Sequence, residues 1–167
     1  MKQEHMKKEK QMSEYDSRED TIEHIRKVRV LFESVIHELE VRYFMHDTSK
    51  LENPEKAVFD EVTPRLKTLT YGSPEYKASL TDMGEALTHH YANNRHHPEH
   101  YKNGINDMSL IDIIEMLCDW KAATERHADG DIIKSLDINK KRFNISDQLQ
   151  GILVNTVELF KGEQNGY

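Results

Sequence analysis

Apolar residues recur every three or four positions along most of the chain, which is the spacing of one face of an α-helix. The clearest stripe follows Asp20, a residue that can cap a helix. Its members are Ile22, Ile25, Val28, Leu31 or Phe32, Val35 and Leu39. The pattern predicts a first helix from about residue 20, with neither glycine nor proline before His46.

Glycine and proline fall mostly between the other periodic segments, so they mark the ends of further helices. A second helix is predicted from Pro54 to about Leu69, and a third carries Leu80, Met83, Leu87 and Tyr91 on one face and ends before Pro98. Three more are predicted from Ser109 to about His127, over residues 131–140, and from Ser146 to Lys161. Ser109 and Asp112 have the spacing of a capping box. No segment has the pattern of a strand. The prediction is an all-α fold, a compact single-domain bundle of about six helices.

Length and composition favour one folded domain. At 167 residues the chain can build one real core but hardly two. Residues 1–18 are almost all polar and have no apolar stripe, which predicts a mobile tail. We therefore expect a helical domain over residues 19–162 and a short tail over 163–167.

Charge and cysteine content narrow the class of protein. The net charge of −7 and the pI near 5.8 argue against a protein that grips duplex nucleic acid through its phosphates. The one cysteine, Cys118, cannot form an internal disulfide. Neither a signal peptide nor an apolar run of membrane-spanning length is evident. A cytoplasmic protein is the expectation.

Histidines are the feature most in need of explanation, because five of the ten lie between residues 89 and 100. Helical spacing places His90 at the edge of the apolar stripe and His89 on the polar side. A lone inward histidine is more often a core residue than a metal ligand. Here His96, His97 and His100 follow within one loop, for which the plain alternative is a solvated loop.

The helix after Ser109 is apolar around most of its circumference, yet it carries Asp112, Glu115 and Asp119. Buried carboxylates are usually paired or bound to a cation, although the stripe could simply face water. Several imidazoles with one or two carboxylates can hold a divalent metal with open positions for water. Two metals could share Asp47, and such centres hydrolyse phosphoesters.

Taken in order, these elements resemble the HD-domain superfamily of metal-dependent phosphohydrolases. "HIRKV" at His24 is similar to its first-helix motif, and "HDTSK" at His46 is similar to His-Asp-x-Gly-Lys, with serine for glycine. "HHPEHYKNG" and "IIEMLCDWKAATERH" are similar to segments of the HD-GYP branch, with the glutamate displaced by one and the Gly-Tyr-Pro signature missing. The resemblance covers about residues 20–127. It is closer overall to small bacterial and phage HD-like proteins that share the "YGS.EYK" and "HHPEH" stretches.

The resemblance implies one or two divalent metal ions, of Mn, Fe, Co, Zn or Mg. The implied ligands are His24, His46, Asp47, His90, His96, His97 and Asp119. Asp47 and Lys50 are the implied catalytic residues, with Lys50 and Arg42 placed to reach a substrate phosphate. Arg42 could instead form a surface salt bridge. In "YGSPEYK", Tyr71 and Tyr76 could stack on a base or simply pack at a turn.

His24 raises a geometric difficulty. It precedes His46 by 22 residues, so an unbroken helix would separate the two by about 33 Å. They can share a metal only if the helix turns back near residues 36–41; otherwise His24 is structural.

A phosphohydrolase acting on a nucleotide or a related small phosphoester is the leading hypothesis. A di-iron oxygenase of HD-like fold, a non-catalytic module that binds a nucleotide or a protein, and a purely structural helical domain are the alternatives. The expected partner is a small phosphoester, with a homodimer left open and no membrane.

Overall fold

The structure is a computed structural model that describes residues 15–70, 72–126 and 130–161. These residues form helices and contain no strand, which confirms the predicted all-α class. The α-helices of the described residues are α1 (Arg18–Met45), α2 (Glu55–Leu66), α3 (Pro74–Asp82), α4 (Gly84–Asn93), α5 (Leu110–Thr124), α6 (Ile132–Phe143) and α7 (Asp147–Val157). Most of the predicted N-terminal tail and all of the predicted C-terminal tail lie outside the described residues.

The chain divides into two compact units, Met1–Val41 and Arg42–Tyr167. The described part of the first unit consists mainly of α1, and none of the side chains of α1 is buried. The predicted apolar stripe is present there, but its residues are exposed or only partly buried. The domain boundaries expected near residues 19 and 162 stay predictions.

The core of the second unit is built where α5, α6 and α7 pack together. Its buried members are Met116, Leu117, Trp120, Leu136, Ile145, Leu153 and Val157. The Trp120 ring stacks on Phe143 with centroids 6.0 Å apart. Burying this much apolar surface is the main stabilising term for the unit, and it anchors α5, the helix that carries the acidic stripe.

Local signals explain the start of α5 and the end of α1. Ser109 accepts from the Asp112 backbone N–H, and the Asp112 carboxylate accepts from the Ser109 N–H, so the predicted capping box is confirmed. At the end of α1, Asp47 adopts the left-handed conformation, with φ 56°, which stops the helix and leads into a 3₁₀ turn over Thr48–Leu51. Aspartate tolerates this conformation better than most residues.

The prediction of one continuous third helix is wrong. The segment divides into α3 and α4 at Gly84, whose φ of +48° suits glycine and interrupts the helical path. The last predicted helix likewise ends earlier, at Val157, and continues as a 3₁₀ helix over Glu158–Lys161. Among the described residues, no helix has both the length and the apolar character needed to cross a membrane.

Candidate metal centre

Four segments of the second unit bring imidazole and carboxylate groups together. His46 and Asp47 lie at the turn that ends α1, and His90 is in the last turn of α4. His96 and His97 follow in the loop after α4, and Asp119 is on α5. The loop is held by Asn94, whose side-chain amide donates to the His90 carbonyl and to Ser49 Oγ, each at 2.8 Å.

Two overlapping groups in the described part of the chain could each hold a metal ion. One comprises Asp47, His90, His96 and His97, and the other comprises His46, Asp47, His96 and Asp119. Within each group the candidate ligand atoms lie within 4.8 Å of one another. Asp47 and His96 belong to both groups, so the arrangement offers either one site with alternative ligands or two adjacent sites that share them.

Most of the distances inside the groups are longer than those of hydrogen bonds. The exception is His90 Nε2, which lies 2.8 Å from His97 Nε2, so one of these two nitrogens donates to the other in the metal-free protein. Asp47 Oδ1 lies 3.4 Å from His90 Nε2 and 3.5 Å from His96 Nε2. On the other side, His46 Nε2 lies 3.6 Å from Asp47 Oδ2 and 3.7 Å from Asp119 Oδ1. Two atoms that each lie about 2.1 Å from a tetrahedral metal are about 3.4 Å apart, so these gaps match ligands around a cation.

Three buried atoms at the centre have no hydrogen-bond partner among the described residues: Asp47 Oδ1 and both ring nitrogens of His96. Leaving a buried polar atom unpaired costs about 1–3 kcal/mol, so such atoms usually bind something. A carboxylate oxygen and an imidazole nitrogen facing each other are suitable donors for a divalent metal such as zinc, manganese or iron. The residues present therefore fit a metal ion.

A second layer of carboxylates orients the histidines. Glu115 Oε1 accepts from His46 Nδ1 at 3.0 Å. Glu55, which is fully buried, lies on the opposite side and accepts from His89 Nδ1 at 2.7 Å and His90 Nδ1 at 2.9 Å. A proton held on Nδ1 leaves the Nε2 lone pair free, which is how a metal-binding histidine is normally set.

His96 lies near the same Glu115 oxygen, since its Nδ1 is 3.0 Å from Glu115 Oε1. The N–H direction is not aligned for a hydrogen bond in this arrangement, and His96 Nδ1 is among the unpaired buried atoms. The contact is therefore a charge–dipole attraction and not a hydrogen bond.

Charge in the site favours neutral imidazoles beside ionised carboxylates. Burial, with His96 and His90 alongside, lowers the pKa of His97 to about 3. Burial raises the pKa of Asp119, but His46 and neighbouring imidazoles outweigh it and bring the pKa to about 2. Burial likewise opposes ionisation of Asp47, but Lys50 gives its pKa a net lowering. These are the protonation states that metal ligands need.

His46 is the exception in the metal-free protein. Asp119 and Glu115 beside it raise its pKa to about 10. The Asp119 contact acts through charge, because 3.7 Å is too long for a hydrogen bond. A metal would have to displace the proton on His46 Nε2.

Two basic residues named from the sequence take different positions. Lys50 pairs with Asp47 Oδ2 and lies over the Phe59 ring, 5.1 Å from its centroid. Arg42 Nη1 lies 3.1 Å from both Asp112 Oδ1 and Glu115 Oε2, so it joins the acidic stripe of α5. Lys50 therefore lies at the candidate metal-binding groups, whereas Arg42 contacts Glu115, the partner of His46.

Residues between which the sequence could not choose differ in position. His90 is buried, and it belongs to a group, whereas His89 does not. His96 and His97 belong to a group, and His100 instead donates from Nδ1 to the Tyr91 carbonyl at 2.8 Å. Asp112 is fully buried, so its stripe does not simply face water.

Other predicted residues lie elsewhere. His24 is exposed on α1, which is unbroken to Met45, so the turn that a metal shared with His46 requires is not formed. Neither group includes His24. Tyr76 lies in the first turn of α3, and its backbone N–H donates to Ser73 Oγ. Tyr71 falls outside the described residues.

Sequence reasoning missed Glu55, Glu115 as a histidine partner, and Asn94. Glu55 follows Pro54 at the start of a helix, where an acidic residue is ordinary, so nothing in its local pattern marks it. The role of Glu115 could have been suspected from its position on a mostly apolar helix, one turn before Asp119.

Comparison with curated proteins and with solved structures finds no match for the chain. A family model, described as a family of unknown function (DUF5662), matches residues 13–159. That span contains every residue of both candidate metal-binding groups. The chain belongs to the DUF5662 family.

Proposed function

We propose that the protein is a metal-dependent phosphohydrolase that acts on a nucleotide or a related small phosphoester. The observation that carries the proposal is the unpaired, buried Asp47 Oδ1 facing His96 Nε2 at 3.5 Å, inside a ring of further imidazole and carboxylate ligands. The ordered resemblance to HD-domain motifs supports the same chemistry. A bound divalent ion would lower the pKa of a coordinated water and polarise a phosphoryl oxygen.

The chain's own residues have separate tasks in this proposal. Asp47, His96, His46, His90, His97 and Asp119 would hold one or two metal ions. Lys50 supplies a positive charge beside Asp47, where it can attract and orient a phosphate oxygen. The side chain of His46 is 32% exposed and that of Asp119 is 20% exposed, so a small substrate can reach this side of the site.

The test begins with the full-length protein purified without chelator, whose metal content is measured. Metal-stripped protein is then supplied separately with Mn²⁺, Fe²⁺, Co²⁺, Zn²⁺ or Mg²⁺ and screened against nucleoside mono-, di- and triphosphates and cyclic nucleotides, with product release followed by chromatography. We expect turnover that requires the metal and is lost in Asp47→Asn.

The matched control is Asp60→Asn, which removes an exposed carboxylate paired with Lys56 on α2. It should retain activity, and circular dichroism should show wild-type helix content in both variants. Turnover that persists in Asp47→Asn, or no turnover with any metal and substrate, contradicts the proposal. Oxygen consumption by the iron-loaded protein without phosphoester cleavage would point to an oxygenase instead.

A further inference from the structure

Helix α6 supplies no ligand to either candidate metal-binding group, yet it contacts two elements that do. Its last residue, Phe143, stacks on Trp120, which follows Asp119 on α5. One residue earlier, Arg142 Nη2 donates to Glu99 Oε1 at 2.6 Å. Glu99 belongs to the loop that follows α4 and carries two of the candidate ligands. Helix α6 is therefore attached both to a helix and to a loop of the candidate metal centre.

The Arg142 side chain is oriented by its neighbour. Its guanidinium lies 4.6 Å from the centroid of the Phe143 ring, within the range of a cation–π contact. The side chains of Arg142 and Glu99 are 40% and 27% exposed, and an ion pair in such a setting usually contributes little, because two long side chains must be held in one geometry. Here the Phe143 ring already restricts the arginine, so less conformational freedom is lost when the pair forms.

A restraint on Glu99 acts on the histidine just before it. Pro98 is buried between Glu99 and His97, and its ring fixes its own φ angle. The His100 N–H closes the 3₁₀ turn over Pro98–His100 by donating to the His97 carbonyl at 3.0 Å. The backbone of this turn therefore moves as one short unit, and the position of Glu99 determines that of His97.

Other contacts tie the loop to α4, the helix from which it emerges. Before the histidines, Asn94 donates to the His90 carbonyl, and after them His100 donates to the Tyr91 carbonyl, both at 2.8 Å. These contacts hold the loop against α4, but they do not fix it relative to α5, the helix of Asp119.

In the described chain, two arginine–carboxylate pairs connect the loop to α5 and α6. Arg95, before the histidines, contacts Asp112 on α5 at 3.3 and 3.5 Å, near the upper limit for a hydrogen bond. The Glu99–Arg142 pair is shorter, at 2.6 Å. The ligands of one metal must be held to within about 0.5 Å of their working geometry. The shorter pair therefore has the larger share in setting the distance between the loop and α5.

We propose that Glu99 and Arg142 are positioning residues for the candidate metal centre. Their ion pair fixes the loop of His96 and His97 relative to α5 and α6, and so relative to Asp119. The proposal rests on the metal site of the proposed function, and it requires no particular substrate or reaction.

Metal affinity of the full chain tests the pair. Arg142→Glu places a second carboxylate beside Glu99, so the two repel and the loop is released from α6. The Kd for Mn²⁺ and for Zn²⁺, measured by competition with a chromophoric chelator, should rise about 5-fold or more. Charge alone would act the other way, because an added carboxylate attracts a cation.

Lys140→Glu is the matched control, because it makes the same change of charge on the same helix. Lys140 pairs with Asp147 at the start of α7, and breaking that pair should leave the Kd unchanged. The exchanged pair, Glu99→Arg with Arg142→Glu, restores opposite charges and should return the Kd to within about 2-fold of the wild type. Wild-type affinity in Arg142→Glu, an equal loss in Lys140→Glu, or no recovery in the exchanged pair would overturn the proposal.

Hydrogen exchange of the metal-free protein separates this proposal from that of the enzymatic function. The N–H groups of His100 and Tyr101 donate within the loop, and they should exchange about 5-fold faster in Arg142→Glu but not in Lys140→Glu. Urea unfolding midpoints close to the wild type would exclude a general loss of stability. Unchanged exchange in Arg142→Glu overturns the attachment of the loop, whereas wild-type protein that binds no metal contradicts the proposed function.

Discussion

Asp47 Oδ1 and His96 Nε2 lie 3.5 Å apart, both are buried, and neither has a hydrogen-bond partner within the described chain. The donor and acceptor atoms of a hydrogen bond are normally about 2.7–3.0 Å apart. His96 Nδ1 also lies 3.0 Å from Glu115 Oε1, and Asp47 pairs with Lys50 through its other oxygen. The separation suits two ligands of one metal.

Metal binding should depend on the shared residues and not on His24. Asp47→Asn and His96→Ala each remove a ligand common to both groups and should reduce the bound metal to less than about one tenth of the wild-type amount. His24→Ala should retain it, since His24 belongs to neither group. Inductively coupled plasma mass spectrometry of protein purified without chelator provides the measurement. Equal loss in all three variants would contradict the assignment.

Glu115 should act on metal affinity through His46. Replacing it with glutamine keeps the shape but weakens the acceptor that holds His46 Nδ1, so metal affinity should fall about 10- to 100-fold. Glu125→Gln, at an exposed glutamate just after α5, is the matched control and should change little. Competition with a chromophoric chelator measures both. Wild-type affinity in Glu115→Gln would show that the contact does not orient the ligand.

Lys50 should matter for substrate more than for metal. Lys50→Ala removes the charge beside Asp47 and should raise KM for a phosphoester about 10-fold or more, while the metal content is retained. Lys50→Arg should recover part of the loss because it restores a cation at the same position. Steady-state kinetics on the best substrate of the screen provides the measurement, and an unchanged KM in Lys50→Ala would count against a phosphate-binding role.

The metal-free protein should lose stability on mild acidification. The folded pKa of His97, about 3, lies below the ordinary value of 6.5, so its contribution is present above pH 6.5 and is lost as pH falls toward 3. In the middle of that window one such group changes the free energy of unfolding by about 1.4 kcal/mol per pH unit. Urea unfolding with chelator present, at pH 6.5, 5.5 and 4.5, should show a shallower dependence in His97→Asn. An unchanged slope in the variant would refute the assignment.

His46 should act in the opposite direction at higher pH. Its folded pKa, about 10, lies above 6.5, so its stabilising contribution is present below pH 6.5 and is lost as pH rises through about 10. The two histidines therefore act in separate pH windows. His46→Asn should change the unfolding profile above pH 7 and leave the acid slope intact.

Asp112 should be structurally important although it lies outside both groups. It caps α5 through Ser109 and pairs with Arg42 and Arg95 while fully buried. Asp112→Ala removes these bonds and should lower the free energy of unfolding by about 2–4 kcal/mol. Asp107→Ala, at a carboxylate that bonds Asn103 in an exposed turn, should cost less than about 1 kcal/mol. Urea denaturation measures both variants, and a similar loss of unfolding free energy in the two would contradict a structural role for Asp112.

Much of the fold followed from local pattern. The apolar periodicity predicted the all-α class, and the Ser109–Asp112 spacing predicted the cap of α5. The break between α3 and α4 was missed because a glycine within an apolar repeat costs a helix only about 1 kcal/mol, so its presence alone does not predict that the helix ends. The left-handed conformation at Gly84 decides the break.

The sequence alone determined which residues could bind a metal, because the donor atoms of histidine, aspartate and glutamate are a property of the side chain itself. Tertiary structure alone decided which of them meet. It brings together His90 and not His89, and His96 and His97 and not His100. It places Glu55 against His90 and Glu115 against His46, and it keeps α1 helical without a break from His24 to Met45. The physical reason is that coordination distance depends on how helices and loops far apart in the chain pack, whereas periodicity reports only the face of a single helix.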